Sequence, residues 1–264
     1  MQDLFSLQGR LALVTGGSRG IGEMIAEGFL RAGAKVYISA RKADACDETA
    51  RRLSAFGECI SIPKDASGAT GARALAELYL GRESRLDILV NNAGAAWGHE
   101  IETFPESGWD KVMDLNVKAP FFLVQALLGA LRASASRERP AKVINIASID
   151  GLSVNMQHTY SYAASKAGLI HLTRRLALEL APENIVVSAI APGAFASTMN
   201  KDARDRGDIV ARGIPARRIG TPEDMAGAAI FLASRAGDYV VGDVLTVDGG
   251  VAWTRRDIHQ AGGA

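Results

Sequence analysis

The sequence predicts an α/β fold, a single domain on one doubly wound parallel sheet of about seven strands with helices on both faces. Three observations predict it. Short apolar runs rich in β-branched residues recur along the chain, and most are apolar at successive positions, as strands covered on both sides are. Segments of helical periodicity separate them, which implies right-handed strand–helix–strand units. No linker, repeat or low-complexity tract interrupts residues 4–250, so the whole chain, 1–264, reads as one domain.

In order, the first strand is Leu11–Thr15, and Ile21, Ile25 and Phe29 repeat at helical spacing directly after it. The second strand is Lys35–Ser39, the third Cys59–Ile62 and the fourth Asp87–Asn91. A helix over Lys111–Leu131 leads to the fifth strand, Lys142–Ala147. Leu169, Leu172, Leu176 and Leu180 mark a helix over Tyr162–Leu180, followed by the sixth strand, Ile185–Ile190. An apolar helical segment, Met225–Ala233, precedes the seventh strand, Val244–Val247.

Two stretches break this rhythm. Ala194–Gly220 is charged, carries Arg204, Arg206, Arg212, Arg217 and Arg218, and shows little apolar periodicity. A loop that long in a compact domain is usually functional, and it is read as a substrate lid. The polar tail Thr254–Ala264 reads as a frayed terminus.

Hydrophobic residues make up 48% of the chain and charged residues 22%, a globular balance. Thirty basic against 29 acidic residues leave a formal charge of +1, no electrostatic footprint for nucleic acid. Cys46 and Cys59 match no metal-ligand spacing, so no metal is expected and both read as small buried hydrophobes in a reducing compartment. The N-terminus lacks the layout of a secretion signal, and no window approaches the roughly 20 apolar residues of a membrane span. The expectation is a soluble cytoplasmic protein without a membrane partner.

The first strand runs into Thr15-Gly16-Gly17-Ser18-Arg19-Gly20-Ile21-Gly22 and then at once into a helix. Glycines permit the tight turn and let backbone N–H groups approach a pyrophosphate at the helix N-terminus, where the dipole favours negative charge. The spacing is G-x3-G-x-G rather than G-x-G-x-x-G, so the position between first strand and first helix carries the argument. A chain that binds NAD places an acid about 20 residues on, at the end of the second strand, for the ribose 2′-hydroxyl. Here that strand ends Ser39-Ala40-Arg41-Lys42, with no acid in reach. Arg41 and Arg19 suit a 2′-phosphate through forked, charge-assisted bonds, so the cofactor expected is NADP(H).

Tyr162 and Lys166 stand four residues apart, on one face if the segment is helical. Carbonyl reduction needs a proton for the developing alkoxide, and a neighbouring cation is expected to draw the phenol's pKa down from near 10. Fourteen residues upstream, Ser148 follows the fifth strand at the carboxyl end, where doubly wound sheets bind ligands, and offers a hydroxyl to a substrate carbonyl.

With these residues the chain resembles the short-chain dehydrogenase/reductase superfamily. Thr15–Gly22, Asn91-Asn92-Ala93-Gly94, Asn116, Ser148, Tyr162 with Lys166, and Pro192-Gly193 follow its ordered motif set from Leu4 to about Gly250. The resemblance implies a Rossmann domain in which Gly16, Ser18, Arg19, Gly20, Ile21 and Gly22 hold the cofactor's phosphates and Arg41 its 2′-phosphate. It implies that Asp65, beside Ala66, bonds the adenine, and that Asn92, Ala93 and Gly94 line the cofactor. By the same resemblance Asn116 holds a water of a proton relay, Ser148 polarises the carbonyl, and Tyr162 is the general acid. Lys166 would bond the nicotinamide ribose and tune Tyr162, with Pro192 and Gly193 flanking the nicotinamide and Ser197 or Thr198 near the pyrophosphate. Tyr160 has no lysine four positions on and is set aside. The serine–tyrosine gap is one residue longer than in many members, and Ser197 stands where threonine is commoner.

Within the superfamily the chain most resembles the 3-oxoacyl (acyl-carrier-protein) reductases, and more narrowly their rhamnolipid-associated type. Phe5-Ser6-Leu7, Gly57 with Cys59, Arg85–Gly94, Gly108-Trp109 and the longer serine–tyrosine gap carry that likeness. It implies a small-molecule or thioester-linked ketone as substrate; a polyol, sugar-acid or steroid alcohol dehydrogenase on the same scaffold is the alternative. Trp97, Leu152, Val154, Met156 and Phe195 are the candidate apolar wall of the pocket, with His99 and His158 as further polar groups. Acyl carrier protein is a candidate partner: Arg139 matches a basic position of those reductases, whereas Glu183 stands at the second. The family is commonly oligomeric, so a homodimer or homotetramer is expected, with contacts from the helices over Lys111–Leu131, Tyr162–Leu180 and Met225–Ala233.

Overall fold

Runs of Val, Ile and Leu without a polar side need cover on both faces, and the chain supplies it. The computed structural model describes residues 4–197 and 199–254. Strands β1 (Leu11–Thr15), β2 (Lys35–Ser39), β3 (Cys59–Ser61), β4 (Ile88–Asn91), β5 (Ala141–Ile146), β6 (Ile185–Pro192) and β7 (Val244–Val247) form one sheet in the order β3-β2-β1-β4-β5-β6-β7. Every pairing in it is parallel. The helices are α1 (Gly20–Arg31), α2 (Ala43–Leu53), α3 (Gly68–Leu80), α4 (Glu106–Met113), α5 (Ala119–Ser134), α6 (Tyr160–Leu180), α7 (Lys201–Asp205), α8 (Gly207–Arg212) and α9 (Pro222–Ala233).

The alternation of side chains along the strands divides the core into two layers. Ala12 and Val14 of β1 and Val36 and Ile38 of β2 pack with Ile25 and Phe29 of α1 and with α9. Leu13 and Tyr37, one position along, turn to the other face and meet Leu75 and Tyr79 of α3 and Leu123 and Leu127 of α5. Each Val, Leu, Ile or Phe among them contributes about 1.5–3 kcal/mol when fully buried. The chain runs outward from β1 to β3 and then returns to place β4 on the other side of β1, so the strand order reverses between β1 and β4. The crevice at the carboxyl ends of those two strands is where this architecture binds ligands.

Three expectations are corrected. The helix foreseen over Lys111–Leu131 is α4 and α5 joined by a π-helical turn, Asp114–Lys118. The segment 194–220 is not plain loop but carries the short helices α7 and α8. The helical run Glu106–Ser134 is long and apolar enough, by length and composition, to cross a membrane, with a mean hydropathy of 1.2 and 39% of that window buried. Its Leu123, Val124, Leu127, Ala130 and Leu131 instead enter the core against α3 and the sheet, which accounts for the apolar composition. Cys46 and Cys59 are free and buried, and burial pushes the Cys59 thiol up to about 12. Residues 255–264, most of the tail read as frayed, lie outside the described residues.

At the opposite, amino end of the sheet, Lys142 of β5 is buried, its side chain 1% exposed, with its ammonium 2.7 Å from Asp238. Burial lowers the proton affinity of Lys142, and Asp238 works against that. Asp238→Ala strands the ammonium, and unfolding free energy at pH 7 is expected to fall by roughly 3 kcal/mol. Because the folded lysine holds its proton less tightly than the unfolded one, stability rises with pH, and the variant's deficit narrows toward pH 9–10. Urea midpoints at the two pH values check both statements.

Candidate active site

The tips of β1 and β4 are stitched together by side chains at the switch point. The Thr15 hydroxyl accepts the Asn92 and Ala93 N–H groups at 3.0 Å each, and the Asn92 amide donates to the Thr15 and Gly16 carbonyls at 2.8 and 3.2 Å. The turn between β1 and α1 wraps this amide so closely that a Cβ on Gly22 would lie 2.3 Å from Asn92 Nδ2 and 2.4 Å from the Gly16 carbonyl oxygen. Gly16 itself has φ +65°, which L side chains rarely adopt. Helix α1 starts at Gly20 with no side chain capping its first N–H groups. These free donors and the helix dipole suit an anion, so the residues present fit a dinucleotide's diphosphate.

Around the turn the charge pattern agrees with the sequence reading. Arg19 and Arg41 are exposed, and β2 ends on Ser39 without an acid. Asp65 is exposed and Ala66 buried. One oxygen of the Asp65 carboxyl accepts the Ser67 N–H and hydroxyl at 3.0 and 2.7 Å; Ser67 first, and Arg41 more weakly, hold that carboxyl below the usual range. Ser18 and Ile21 are half-buried in the turn. Ser197 comes over from the far side, its Cβ 3.1 Å from where a Cβ on Gly20 would stand. A cavity of about 300 Å³ opens there, lined by Arg19, Gly20, Met24, Ser197, Arg204 and Pro222. Thr198 lies outside the described residues.

Four elements bring the candidate catalytic side chains together. Ser148 follows β5 and is buried, its hydroxyl accepting the Asp150 N–H at 3.1 Å. Tyr162 and Lys166 lie one turn apart on α6, with the Lys166 ammonium 5.5 Å from the centre of the Tyr162 ring. Asn116 sits in the π-helical turn, where the extra residue in the turn re-aims a side chain inward. Its amide donates to the Ala95 carbonyl and the Ser165 hydroxyl at 2.9 Å each and accepts the Ala95 N–H at 2.8 Å. Gly94 closes the group: a Cβ there would stand 3.3 Å from Asn116 Oδ1 and 3.7 Å from Lys166 Nζ.

The electrostatics differ from the expectation of an acidified phenol. Burial pushes the Tyr162 hydroxyl up to about 12, Ser148 pulls it down, and the Asp150 charge adds to the rise. Burial lowers Lys166 to about 8, with Asp150 opposing. The reason is geometric. The Lys166 ammonium donates to the Ile146 carbonyl at 2.7 Å and lies over the ring, so desolvation outweighs attraction between cation and phenolate. Tyr160 stacks on His158, centroids 6.1 Å apart, and meets Phe104 edge-on, clear of this group.

On the substrate side, Pro192 ends β6, and the Gly193 N–H bonds the Val247 carbonyl at 2.9 Å. Phe195 is buried in a parallel bridge with Gly220, whose N–H bonds the Ala194 carbonyl at 2.9 Å, so it is not an open pocket wall. Trp97 lies across Gly108 with Lys111 5.2 Å from its ring, and Leu152 packs on Ala147, Ile170 and Ala189. Val154 and Met156 are left 100% and 96% exposed, the accessible apolar members of that expected wall. His158 pairs with Glu100 at 3.1 Å, and the His99 N–H bonds the His158 carbonyl at 3.0 Å, tying together two loops at the mouth. Arg139 precedes β5, whose far end leads to Ser148, so it stands at the wrong end of the sheet to line the mouth; Glu183 is taken by Arg132.

Sequence reasoning gave Asn145, Ser165 and Asp150 no role of their own and read Thr15 only as the start of the glycine turn. Asn145 accepts from the Asn91 amide at 2.8 Å and donates to Thr173 at 2.9 Å, a buried polar chain across the sheet. Polar residues inside the apolar runs of β4 and β5, at paired register, were its signal.

A family profile described as enoyl-(acyl carrier protein) reductase matches residues 16–252. The chain is 54% identical over 253 residues to a rhamnolipids biosynthesis 3-oxoacyl-[acyl-carrier-protein] reductase of Pseudomonas aeruginosa, covering 95% of this chain and 99% of that protein. A 2-dehydro-3-deoxy-D-gluconate 5-dehydrogenase of Dickeya dadantii is 39% identical over 259 residues, 96% of this chain and 98% of that one. Among solved structures, the Pseudomonas aeruginosa RhlG/NADP active-site complex superposes with a TM-score of 0.92 at 52% identity, covering 96% of this chain and 100% of that one. With the sheet order, the glycine turn and the Ser148–Tyr162–Lys166 group already in place, these likenesses make the chain a member of the short-chain dehydrogenase/reductase family.

Proposed function

We propose that this enzyme uses NADPH to reduce the ketone of a 3-oxoacyl thioester to a secondary alcohol. The observation that carries the reading is the convergence of Ser148, Tyr162, Lys166 and Asn116 beside the uncapped start of α1, with Arg41 where an NAD-binding chain has an acid. When bound, the cofactor supplies a hydride to the carbonyl carbon. Ser148 donates its hydroxyl proton to the carbonyl oxygen as a hydrogen bond and so draws charge toward it. The Tyr162 phenol, kept protonated at neutral pH, gives its proton to the developing alkoxide. Lys166, anchored on the Ile146 carbonyl, would hold the cofactor's ribose with its remaining donors, and Asn116 fixes the loop at Ala95.

The Pseudomonas relative's 3-oxoacyl chemistry favours the thioester, and Val154 and Met156 offer exposed apolar surface for an acyl chain. In the same reading the segment 194–220 is the substrate lid, with Pro192, Gly193 and Ser197 at its base. Exposed Phe121 on α5, Leu178 on α6 and Tyr239 before β7 support a homodimer or homotetramer, and the two unpaired cysteines suit a reducing, cytoplasmic setting.

The test is a side-by-side assay of the purified chain. A 3-oxoacyl thioester, on coenzyme A and on carrier protein, is compared with a keto-aldonate, each with NADPH and NADH. The thioester with NADPH is expected to give the highest kcat/KM, and Arg41→Ala to cost about 10–100-fold with NADPH and little with NADH. Faster turnover of the keto-aldonate would replace the substrate with a sugar acid.

A further inference from the structure

Asn91, Asn145 and Thr173 form a buried polar chain that has no part in the reaction as described. The Asn91 amide donates to Asn145 Oδ1 at 2.8 Å, Asn145 Nδ2 donates to the Thr173 hydroxyl at 2.9 Å, and that hydroxyl donates to the Leu169 carbonyl at 2.8 Å. Each link has its partner, as a buried polar chain must if it is not to cost stability. Apolar groups of the same shape would hold the layers together about as well, so what the chain adds is direction.

Its two ends reach the two halves of the site. Asn91 precedes Asn92, whose amide donates to the Thr15 and Gly16 carbonyls of the phosphate turn at 2.8 and 3.2 Å. Thr173 stands on α6 seven residues after Lys166 and eleven after Tyr162, close to two and three whole turns, so the three share one face. On β5, Asn145 precedes Ile146, whose carbonyl accepts the Lys166 ammonium at 2.7 Å. Two neighbouring residues of one strand thus hold α6 at two points, roughly 10 Å apart along its axis. Between those points Ile170 packs on Ala147 and Ala189. Such apolar contact is non-directional and fixes neither the axial position nor the tilt of the helix, whereas a hydrogen bond demands a distance and an angle.

We propose that Asn145 and Thr173 are positioning residues for the reduction, their hydrogen bond setting where α6 carries Tyr162 relative to Ser148 and to the phosphate turn. The inference rests on the reading of Tyr162 as proton donor. The line from Thr15 and Gly16 through Asn92, Asn91 and Asn145 to Thr173 ties the turn that would hold the cofactor to the helix that carries the acid. Ser148 belongs to the same frame, because it follows β5 directly after Ala147. With the Asn145 contact gone, Lys166 is the remaining polar attachment of α6 to β5 among the described residues, and the helix can tilt about it. A misplacement of about 1 Å caused away from the chemistry can cost about 100-fold in rate.

The test is Thr173→Val, which keeps the side chain's shape and removes its hydroxyl. In the holoenzyme kcat is expected to fall about 10–100-fold, with KM and the NADPH dissociation constant each within about threefold of wild type. Thr173→Ser retains the hydroxyl and should recover kcat to within about threefold. Leu180→Ala, at an apolar buried position at the other end of α6, is the stability control: its urea midpoint should fall at least as far, with kcat within about twofold. An unmoved kcat in Thr173→Val, or an equal loss of kcat in Leu180→Ala, would reduce the chain to a structural part of the core and overturn the proposal. Should Thr173→Val not fold, Thr173→Cys, with its weaker donor, reads the same split between kcat and binding. The parent reading fails separately: it falls if Tyr162→Phe still turns over, whereas an inactive Tyr162→Phe beside an undiminished Thr173→Val removes this inference alone.

Discussion

Tyr162→Phe is expected to lower kcat by roughly a thousandfold while NADPH binding changes by less than about threefold. The substitution takes away one hydroxyl and leaves the rest of the site standing. Ser165 holds Asn116 and bonds the backbone carbonyl of residue 162, not its side chain, and Lys166 is anchored on the Ile146 carbonyl. The ring keeps its volume, so stability should move by less than about 1.5 kcal/mol. Steady-state rates and quenching of protein fluorescence by NADPH separate the two effects. A variant that binds and still reduces at a tenth of the wild-type rate would remove the phenol from the proton's path.

Gly22→Ala is the second large effect, and it acts on cofactor and fold together. The new methyl would stand 2.3 Å from the Asn92 amide nitrogen and 2.4 Å from the Gly16 carbonyl oxygen. Neither can yield cheaply. The amide is committed to the Thr15 and Gly16 carbonyls, and the carbonyl belongs to the phosphate turn itself. Displacing Asn92 forfeits two hydrogen bonds in the partly buried switch point, each about 1 kcal/mol, and adds strain to the turn. The expectation is a loss of about 2–4 kcal/mol in unfolding free energy and of at least roughly a hundredfold in NADPH affinity. Gly129→Ala on α5, with nothing within 4 Å of the new carbon, is the control: it should be neutral or gain up to about 1 kcal/mol. Equal damage from both changes would mean that the crowding at Gly22 is not the cause.

Most of this architecture was legible before any coordinates. β1 and β2 begin and end where the apolar runs do, because a strand covered on both faces along nearly its whole length leaves little to blur its limits, and the half-buried β7 matches its run as well. β6 runs on to Pro192, past the apolar run, since pairing with β7 continues to Val247 whatever the side chains are. The π-helical turn was invisible because its residues have ordinary helical periodicity, and the extra residue shows only in how Asn116 is aimed. Phe195 and Trp97 look like pocket walls in the sequence. A glycine beside each ring, Gly220 and Gly108, lets Phe195 bury fully and Trp97 in part, and those contacts join segments distant in the chain or separated by a turn. The electrostatics of Tyr162 and Lys166 were misjudged for a related reason. Spacing puts a cation near a phenol, but only the fold shows that the Ile146 carbonyl takes the ammonium and that both groups lose their water.

The bridge between Phe195 and Gly220 closes the excursion 196–219 at its base, and the Ala216 N–H ties it again to the Gly249 carbonyl at 3.0 Å. The entropy of closing such an excursion grows only with the logarithm of its length. The largely exposed stretch 204–212, between the buried Ala203 and Ile214, is thus the part that can be extended or traded for a relative's while the strands beneath keep their register. Selection for a new ketone would have an inexpensive place to act, and the glycine turn and the tyrosine helix would be inherited unchanged.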